Sequence, residues 1–250
     1  MYQDKERNWK NDSKVVVISN PLTVNVEKHS SCSEKRVVAA GRLAYQKHFD
    51  ALIDAWNIVH KKHQDWQLDI WGDGTEKDAL QNQINQYGLQ DTIQLKGYAQ
   101  NVIEKMSDYS IFALSSRFEG FGLVILEAMA NGVPVVSFAC PCGPKDIITD
   151  GKDGILVPHE NTALLAQGII NLIENEAKRI EMGQNAIIKA GIEHKSIARH
   201  CLKYPTALSS FRTIRIIHST SIIIPTAGIN ISANTGFAMA DNKSTTARQI

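Results

Sequence analysis

Short apolar runs alternate with amphipathic stretches along most of this chain. Residues 37–40 form a continuous apolar run between Arg36 and Gly41, which predicts a buried strand. Residues 49–59 then repeat their apolar positions at the spacing of a helix. The residues on that helical face are Phe49, Leu52, Ile53, Trp56 and Val59.

The same alternation continues to about residue 175. Apolar strands that alternate with helices indicate a parallel sheet covered on both faces. The predicted fold class is therefore α/β, a single doubly wound, Rossmann-like domain, in which ligands bind beyond the carboxyl ends of the strands. Strands are predicted at 67–71, 92–95, 110–114, 133–138 and 154–157, and helices at 76–87, 102–106, 122–131, 144–149 and 162–175.

The two ends of the chain do not share this pattern. A short strand at 14–22 is stopped by Asn20-Pro21, and 23–35 lacks periodicity, so we interpret 1–35 as a tail and linker. The alternating domain is predicted to occupy 36–195. Residues 196–250 are rich in Ser, Thr and Ile without a helical period, and we expect this atypical tail to be poorly ordered.

Composition excludes several classes of function. A formal net charge of +1 offers no electrostatic basis for binding nucleic acid. There is no apolar run long enough to span a bilayer and no signal peptide, so a cytoplasmic location is predicted, with a peripheral position at the inner membrane face as an option. The four cysteines lack a zinc-site spacing, the histidines suggest no triad, and no metal is expected.

The most informative segment is 115–136, which predicts a strand end, a glycine loop, a short helix and a new strand. A helix N-terminus after Gly120 and Gly122 suits a phosphate group. Glu119 and Glu127 would diverge by about 80° on one ideal helix, so Glu119 must lie in the loop if both face one ligand. A phosphate and sugar hydroxyls together describe a nucleotide sugar. The alternative is that Glu127 merely reaches solvent.

Three further loops follow predicted strands. Arg42 and Lys47, after Gly41, could neutralise a diphosphate or be ordinary surface charges. Trp71-Gly72-Asp73-Gly74 could admit a ligand or be a plain turn, and it lacks the third glycine of a dinucleotide fingerprint. The segment 140–148 places Pro144 at a helix start and is either a ligand loop or a rigid turn.

Taken together and in order, these motifs resemble the C-terminal, donor-binding half of retaining glycosyltransferases of the GT-B fold, the group 1 or GT4 family. The resemblance covers about residues 15 to 190 and continues through Gly132-Val133-Pro134, Gly143-Pro144 and Gly154-Ile155. It implies transfer of a hexosyl group with retention from a nucleotide sugar, UDP- or GDP-linked, without a metal. Such members act in cell-surface polysaccharide or glycolipid synthesis.

The resemblance also implies a role for each site residue. Arg42 and Lys47 would hold the donor diphosphate, and Glu127 the ribose hydroxyls. Glu119 would contact the donor sugar as the catalytic carboxylate. The remaining donor-binding residues would be Gly72, then Gly97 and Tyr98 near the base, and Gly122, Leu123 and Val124 through backbone N–H groups. His48 departs from the family, which usually has Gly or Asn at that position.

A GT-B enzyme has an N-terminal acceptor domain of comparable size, and only about twenty residues precede the linker here. We therefore expect a fragment, a truncated reading frame with an out-of-frame tail, in which nucleotide binding survives without catalysis. The alternative is a nucleotide-sugar-binding subunit that complements a separate acceptor-domain chain, for which an exposed apolar face at 15–18 would argue. A lipid-linked acceptor at the membrane is a second candidate partner, and a sugar-nucleotide epimerase is a third possible function.

Overall fold

A computed structural model describes residues 15–19, 26, 28–203, 215–216 and 221–225, with side chains described for 26 and 28–191. The strands are β1 (Val15–Ser19), β2 (Arg36–Ala40), β3 (Gln67–Trp71), β4 (Ile93–Gly97), β5 (Ile111–Leu114), β6 (Val135–Phe138), β7 (Gly154–Val157), β8 (Arg215–Ile216) and β9 (Ser221–Pro225). The helices are α1 (Phe49–His60), α2 (Lys77–Tyr87), α3 (Val102–Lys105), α4 (Leu123–Ala130), α5 (Pro144–Ile147), α6 (Thr162–Glu174) and α7 (Glu176–Lys203).

Strands β2 to β7 form one parallel sheet in the order β4-β3-β2-β5-β6-β7. The order reverses direction between β2 and β5. In a doubly wound sheet, the loops that leave the two strands at this reversal diverge to opposite faces and open a crevice at the carboxyl edge. The predicted α/β, doubly wound, Rossmann-like class is confirmed, and the crevice lies where Gly41 and Ser115 begin their loops.

Alternate residues of each strand enter different cores. Val37 and Ala39 of β2 pack into the cluster covered by α1, α2 and α6. Val38 and Ala40 pack into the cluster covered by α3, α4 and α7. This period of two is the geometry of a strand buried on both faces, which explains the continuously apolar run in the sequence.

Some predicted boundaries are wrong by a few residues. The strand predicted from Val133 begins at Val135, because the Val133 N–H bonds to the Ala128 carbonyl and so completes the end of α4. The helix predicted to reach residue 149 ends at Ile147. Within the described ranges, no helix combines the length and hydropathy needed to cross a bilayer.

Helix α7 was not predicted. Its last residues and strands β8 and β9 fall within the segment predicted as a poorly ordered tail, and Arg215 and Ile216 pair antiparallel with Ile223 and Ile222. The rest of 204–250 lies outside the described residues. So do the side chains of 15–18, for which the separate-subunit alternative predicts an exposed apolar face.

Residues 29–32, interpreted as linker, are fastened to the domain. The Ser30 N–H donates to the Asn131 carbonyl at 2.7 Å, and the Cys32 thiol to the Gly132 carbonyl at 3.2 Å. Arg179 of α7 donates its Nε–H to the Cys32 carbonyl at 2.7 Å. This segment lacks periodicity because its backbone is held by contacts with other elements rather than by an element of its own.

Candidate functional site

The loops after β2 and β5 are joined to each other along the crevice. The Arg117 N–H donates to the Gln46 carbonyl at 2.9 Å, and the Gln46 amide donates to the Phe118 carbonyl at 3.0 Å. The Ser115 hydroxyl donates to the Lys47 carbonyl at 2.9 Å. Since each of these bonds joins residues that are far apart in sequence, only the strand order brings the two loops together.

Lys47 and Glu119 meet between these loops. Lys47 Nζ lies 2.7 Å from Glu119 Oε1, and the Ser116 hydroxyl donates to the same oxygen at 2.6 Å. The side chains are 16% and 6% exposed, so the pair is largely desolvated. Gly41 leaves room for the lysine, because a Cβ on Gly41 would lie 2.9 Å from Lys47 Cε. The structure therefore brings Lys47 and Glu119 to one place, as a direct ion pair that the sequence did not predict, and their contacts with a donor stay a prediction.

Glu127 lies on the partly exposed side of α4 together with Leu123 and Val124. Burial raises the pKa of the Glu127 carboxyl above its ordinary value, and the positive charge of Lys47 opposes that rise in pKa. Lys47 therefore acts electrostatically on both glutamates. The N–H groups of Leu123 and Val124 belong to the first turn of α4, where backbone donors lack intrahelical partners.

At the carboxyl edge of the sheet, Gly41 and Gly72 continue the hydrogen bonding between neighbouring strands. The Gly41 N–H donates to the Trp71 carbonyl, and the Gly72 N–H to the Gly97 carbonyl, both at 2.9 Å. A Cβ on Gly72 would lie 1.8 Å from the Gly41 carbonyl oxygen, so close packing of these loops already requires glycine there. Tyr98, beside this row, is exposed. Contact of Gly72, Gly97 and Tyr98 with a donor stays a prediction.

The Arg42 side chain takes no part in the ion pair between Lys47 and Glu119. Its side chain is exposed and makes no hydrogen bond or ion pair with any described residue. The structure therefore pairs Lys47 with Glu119 and leaves the guanidinium of Arg42 available to solvent. Its contact with a diphosphate stays a prediction.

The loop after β6 closes the site behind Glu119. A Cβ on Gly143 would lie 2.5 Å from the Phe121 carbonyl oxygen and 3.3 Å from Glu119 Cβ. Cys140 is fully buried, and burial together with the nearby charge of Glu119 raises the pKa of its thiol to about 12. Sequence reasoning left this loop undecided between a ligand loop and a rigid turn. Its packing against the glutamate loop gives it a structural role.

His48 follows Lys47 in a left-handed backbone conformation, with φ 53° and ψ 43°. Glycine and asparagine adopt this region most readily, which explains why the family uses them here, and histidine is also enriched there. The imidazole packs at a ring-centroid distance of 6.2 Å from Phe138. Histidine therefore adopts the left-handed conformation at this position.

Among the residues with described side chains, no group of three or more His, Cys, Asp or Glu could hold a metal ion. Two contributors to the site were missed from sequence, Ser116 and Arg117. Both stand within the motif, directly between β5 and Glu119. Arg117 carried no signal because its partner Tyr45 belongs to the loop after β2, whereas Ser116 contacts Glu119 within one loop, three residues away, through a conformation that the spacing does not specify.

Known proteins resemble this chain in sequence and in fold. The family of glycosyl transferases group 1 matches residues 25–189. The amylovoran biosynthesis glycosyltransferase AmsD of Erwinia amylovora is 37% identical over 153 residues, which are 61% of this chain and 42% of AmsD. TarM of S. aureus, solved in complex with UDP among other ligands, has a TM-score of 0.70 at 32% identity, over 74% of this chain and 38% of the TarM chain.

The C-terminal domain of LpcC, a glycosyl transferase group 1 family protein of Francisella tularensis, has a TM-score of 0.57 at 27% identity. This match covers 63% of our chain and 84% of the LpcC domain. The chain therefore spans less than half the length of AmsD and TarM but corresponds to most of a C-terminal domain. With the parallel sheet and the glycine loops in the family's order, the chain belongs to the glycosyl transferases group 1 family and represents its C-terminal, GT-B half.

Proposed function

We propose that this chain binds a nucleoside-diphosphate sugar in the crevice between the loops after β2 and β5. The observation that carries the proposal is the position of Lys47, paired with Glu119 and acting electrostatically on Glu127 at the reversal of the strand order. A desolvated cation that is paired with Glu119, four residues before α4 begins, is suited to a diphosphate. A carboxylate on the open side of that helix is suited to ribose hydroxyls.

In the proposed reaction, the bond between C1 of the donor sugar and the β-phosphate oxygen breaks. An acceptor hydroxyl oxygen bonds to C1 on the same face, and its proton passes to the departing phosphate oxygen, so configuration is retained. Lys47, Arg42 and the N–H groups of Leu123 and Val124 stabilise the negative charge on the diphosphate without a metal. Glu119 contacts the sugar, and UDP and GDP are the candidate nucleotides.

Transfer requires an acceptor held against the donor and shielded from water. This chain spans 42% of AmsD, so we propose that the acceptor site belongs to a second half or to a separate chain. In the latter case the chain is a nucleotide-sugar-binding subunit. Its acceptor would be a growing polysaccharide or a lipid-linked sugar at the cytoplasmic face of the membrane.

Isothermal titration with UDP, GDP and their sugars tests the proposal. We expect one nucleotide to bind at one site and Lys47→Ala to weaken it at least about tenfold, as for loss of a charge-assisted hydrogen bond. Arg42→Ala and Glu127→Ala should also weaken binding. Lys35→Ala is the matched control. Lys35 lies just before β2, and the change removes only its exposed ion pair with Asp65. Failure of every nucleotide to bind would refute the proposal.

A further inference from the structure

We propose that Arg117 is a positioning residue that holds the turn carrying Lys47 against the loop carrying Glu119. This inference rests on the proposed function of the crevice. Arg117 lies two residues before Glu119 and its side chain is 17% exposed. Its contacts cross from the loop after β5 to the loop after β2, so they join the two loops that leave the strand reversal.

The Arg117 guanidinium makes two different contacts with Tyr45. Its Nη1–H donates to the Tyr45 carbonyl at 2.6 Å, and its Cζ lies 4.0 Å from the centroid of the Tyr45 ring. Only a planar group with several donors can stack on a ring and bond to a carbonyl of the same residue. Lysine, a compact point charge, cannot make both contacts together.

Two carboxylates hold the guanidinium in that position. Arg117 Nη2 lies 3.6 Å from Asp50 Oδ2 at the start of α1, and Nε lies 3.9 Å from Glu160 Oε1 after β7. Arg117 therefore connects loops that leave three different strands. The guanidinium plane is fixed by stacking on the Tyr45 ring and by the hydrogen bond to the Tyr45 carbonyl. Its orientation therefore sets which nitrogen faces Asp50 and which faces Glu160.

The turn that Arg117 holds has little stability of its own. Residues Tyr45–Lys47 form one 3₁₀ turn whose N-terminus has no side-chain cap. A three-residue turn cannot be stable in isolation, since nucleation is the unfavourable step of helix formation. Its position, and hence that of Lys47 Nζ, depends on contacts with the neighbouring loop. The charged contacts are those of the Arg117 guanidinium and the Lys47–Glu119 ion pair, and the neutral hydrogen bonds come from Ser115, Gln46 and the Arg117 backbone N–H.

This role predicts a selective defect. Lys47 is proposed to meet the diphosphate, and the base is proposed to lie elsewhere, near Gly97 and Tyr98. Displacing the 45–47 turn should therefore weaken ligands that carry a diphosphate and spare ligands that lack one. A general loss of stability would weaken both kinds of ligand to the same extent.

The experiment compares Arg117→Ala and Arg117→Lys with wild type in titrations of whichever of UDP and GDP binds wild type, and binding of the matching nucleoside is followed by ligand-observed NMR. UDP and uridine below stand for that nucleotide and its nucleoside. We expect Arg117→Ala to bind UDP about tenfold more weakly, with Arg117→Lys giving little rescue, and uridine to bind as in wild type. In a Lys47→Ala background, Arg117→Ala should have no further effect on UDP, since coupled residues are not additive.

Unchanged UDP affinity in Arg117→Ala, equal losses for UDP and uridine, or additivity with Lys47→Ala would each overturn the positioning role. Thermal unfolding of each variant reports folding, and if Arg117→Ala does not fold, Arg117→Lys decides by the same comparison. A wild-type chain that binds neither UDP nor GDP would instead refute the proposed function, which distinguishes the two failures. Lys35→Ala again serves as the control.

Discussion

At the scale of single residues, Lys47 is the cation that makes two carboxylates tolerable in the crevice. Glu119 is nearly buried, and its Oε1 receives both the ammonium of Lys47 and the hydroxyl of Ser116. The Glu127 carboxylate accepts no hydrogen bond from any described residue and gains only the longer-range attraction of Lys47. A partly buried carboxylate without a direct partner costs free energy, which is consistent with a site kept for binding rather than for stability.

We predict that Glu127→Gln increases stability while it weakens nucleotide binding. Burial is the larger influence on the pKa of Glu127 and raises it from an ordinary value of 4.5, so ionisation is disfavoured in the folded state. The destabilising effect is therefore absent below that ordinary value and is complete above the raised pKa. The melting temperatures of the variant and wild type should converge in acid and separate as the pH rises to neutrality.

Differential scanning calorimetry across that pH range, with UDP titration at neutral pH, measures both effects. Glu181→Gln, an exposed change on α7, is the matched control and should leave both quantities unchanged. A melting temperature for Glu127→Gln below that of wild type at neutral pH would contradict the prediction, as would unaltered nucleotide affinity.

The sequence predicted which residue types line the site better than it predicted which of those residues contact each other. The motif between β5 and β6 places two glutamates around a glycine loop, and the sequence shows this directly. That Glu119 meets Lys47, seventy-two positions away, follows only from the adjacency of β2 and β5. The conformation of His48 could be suspected from the family's preference for Gly or Asn, but its left-handed φ is visible only in the structure.

At the scale of elements, α7 is attached by a buried arginine. Arg179 is 4% exposed and donates to the carbonyls of Leu172 and Ile173 at the end of α6, and to that of Cys32. Its guanidinium also lies 5.2 Å from the ring centroid of Trp66. One side chain thus caps one helix, fastens the 29–32 segment and docks a second helix.

We predict that Arg179→Ala destabilises the fold by about 3 kcal/mol, because several buried carbonyls lose their charged donor together. Equilibrium urea unfolding followed by circular dichroism measures this. Glu176→Ala removes the exposed carboxylate 3.8 Å from the same guanidinium and should change stability by less than about 0.5 kcal/mol. Equal effects of the two substitutions would show that the carbonyl contacts are not what holds α7.

The sequence did not reveal α7, and its packing shows why. The residues that face the domain are Arg179, Met182, Gly183, Ala186 and Ala190. They follow a helical spacing, but they include one charge, one glycine and two alanines, so their apolar signal is weak. The small residues permit close approach, since a Cβ on Gly183 would lie 2.4 Å from the Gly132 carbonyl oxygen.

At the scale of the whole molecule, the strand order decides where chemistry can occur. Every group discussed for the site lies at the carboxyl edge, near the reversal between β2 and β5. The described part of the chain also has a hollow near the opposite edge, beside Lys28, Arg36 and Asp108, where charges of both signs meet. If the proposed function is correct, nucleotide binding should slow amide exchange at the carboxyl edge and leave exchange near this hollow unchanged.

Hydrogen exchange with and without UDP measures this difference. We predict slower amide exchange in 41–48 and 115–124 and no change in 28–36, because only the first two segments border the crevice. Lys47→Ala should abolish the protection at equal UDP concentration. Protection confined to 28–36, or spread evenly over the chain, would contradict a site at the strand reversal.

The sequence by itself determined the alternation of strands and helices, the glycine loops and the membership in a glycosyltransferase family, because periodicity and turn residues are local properties. The tertiary structure decided which charges meet. Lys47, Glu119 and Glu127 acquire their relation from the neighbouring positions of β2 and β5, and Arg117 finds Tyr45 for the same reason. Pairing across a parallel sheet joins residues distant in sequence, and burial then sets the strength of their interactions.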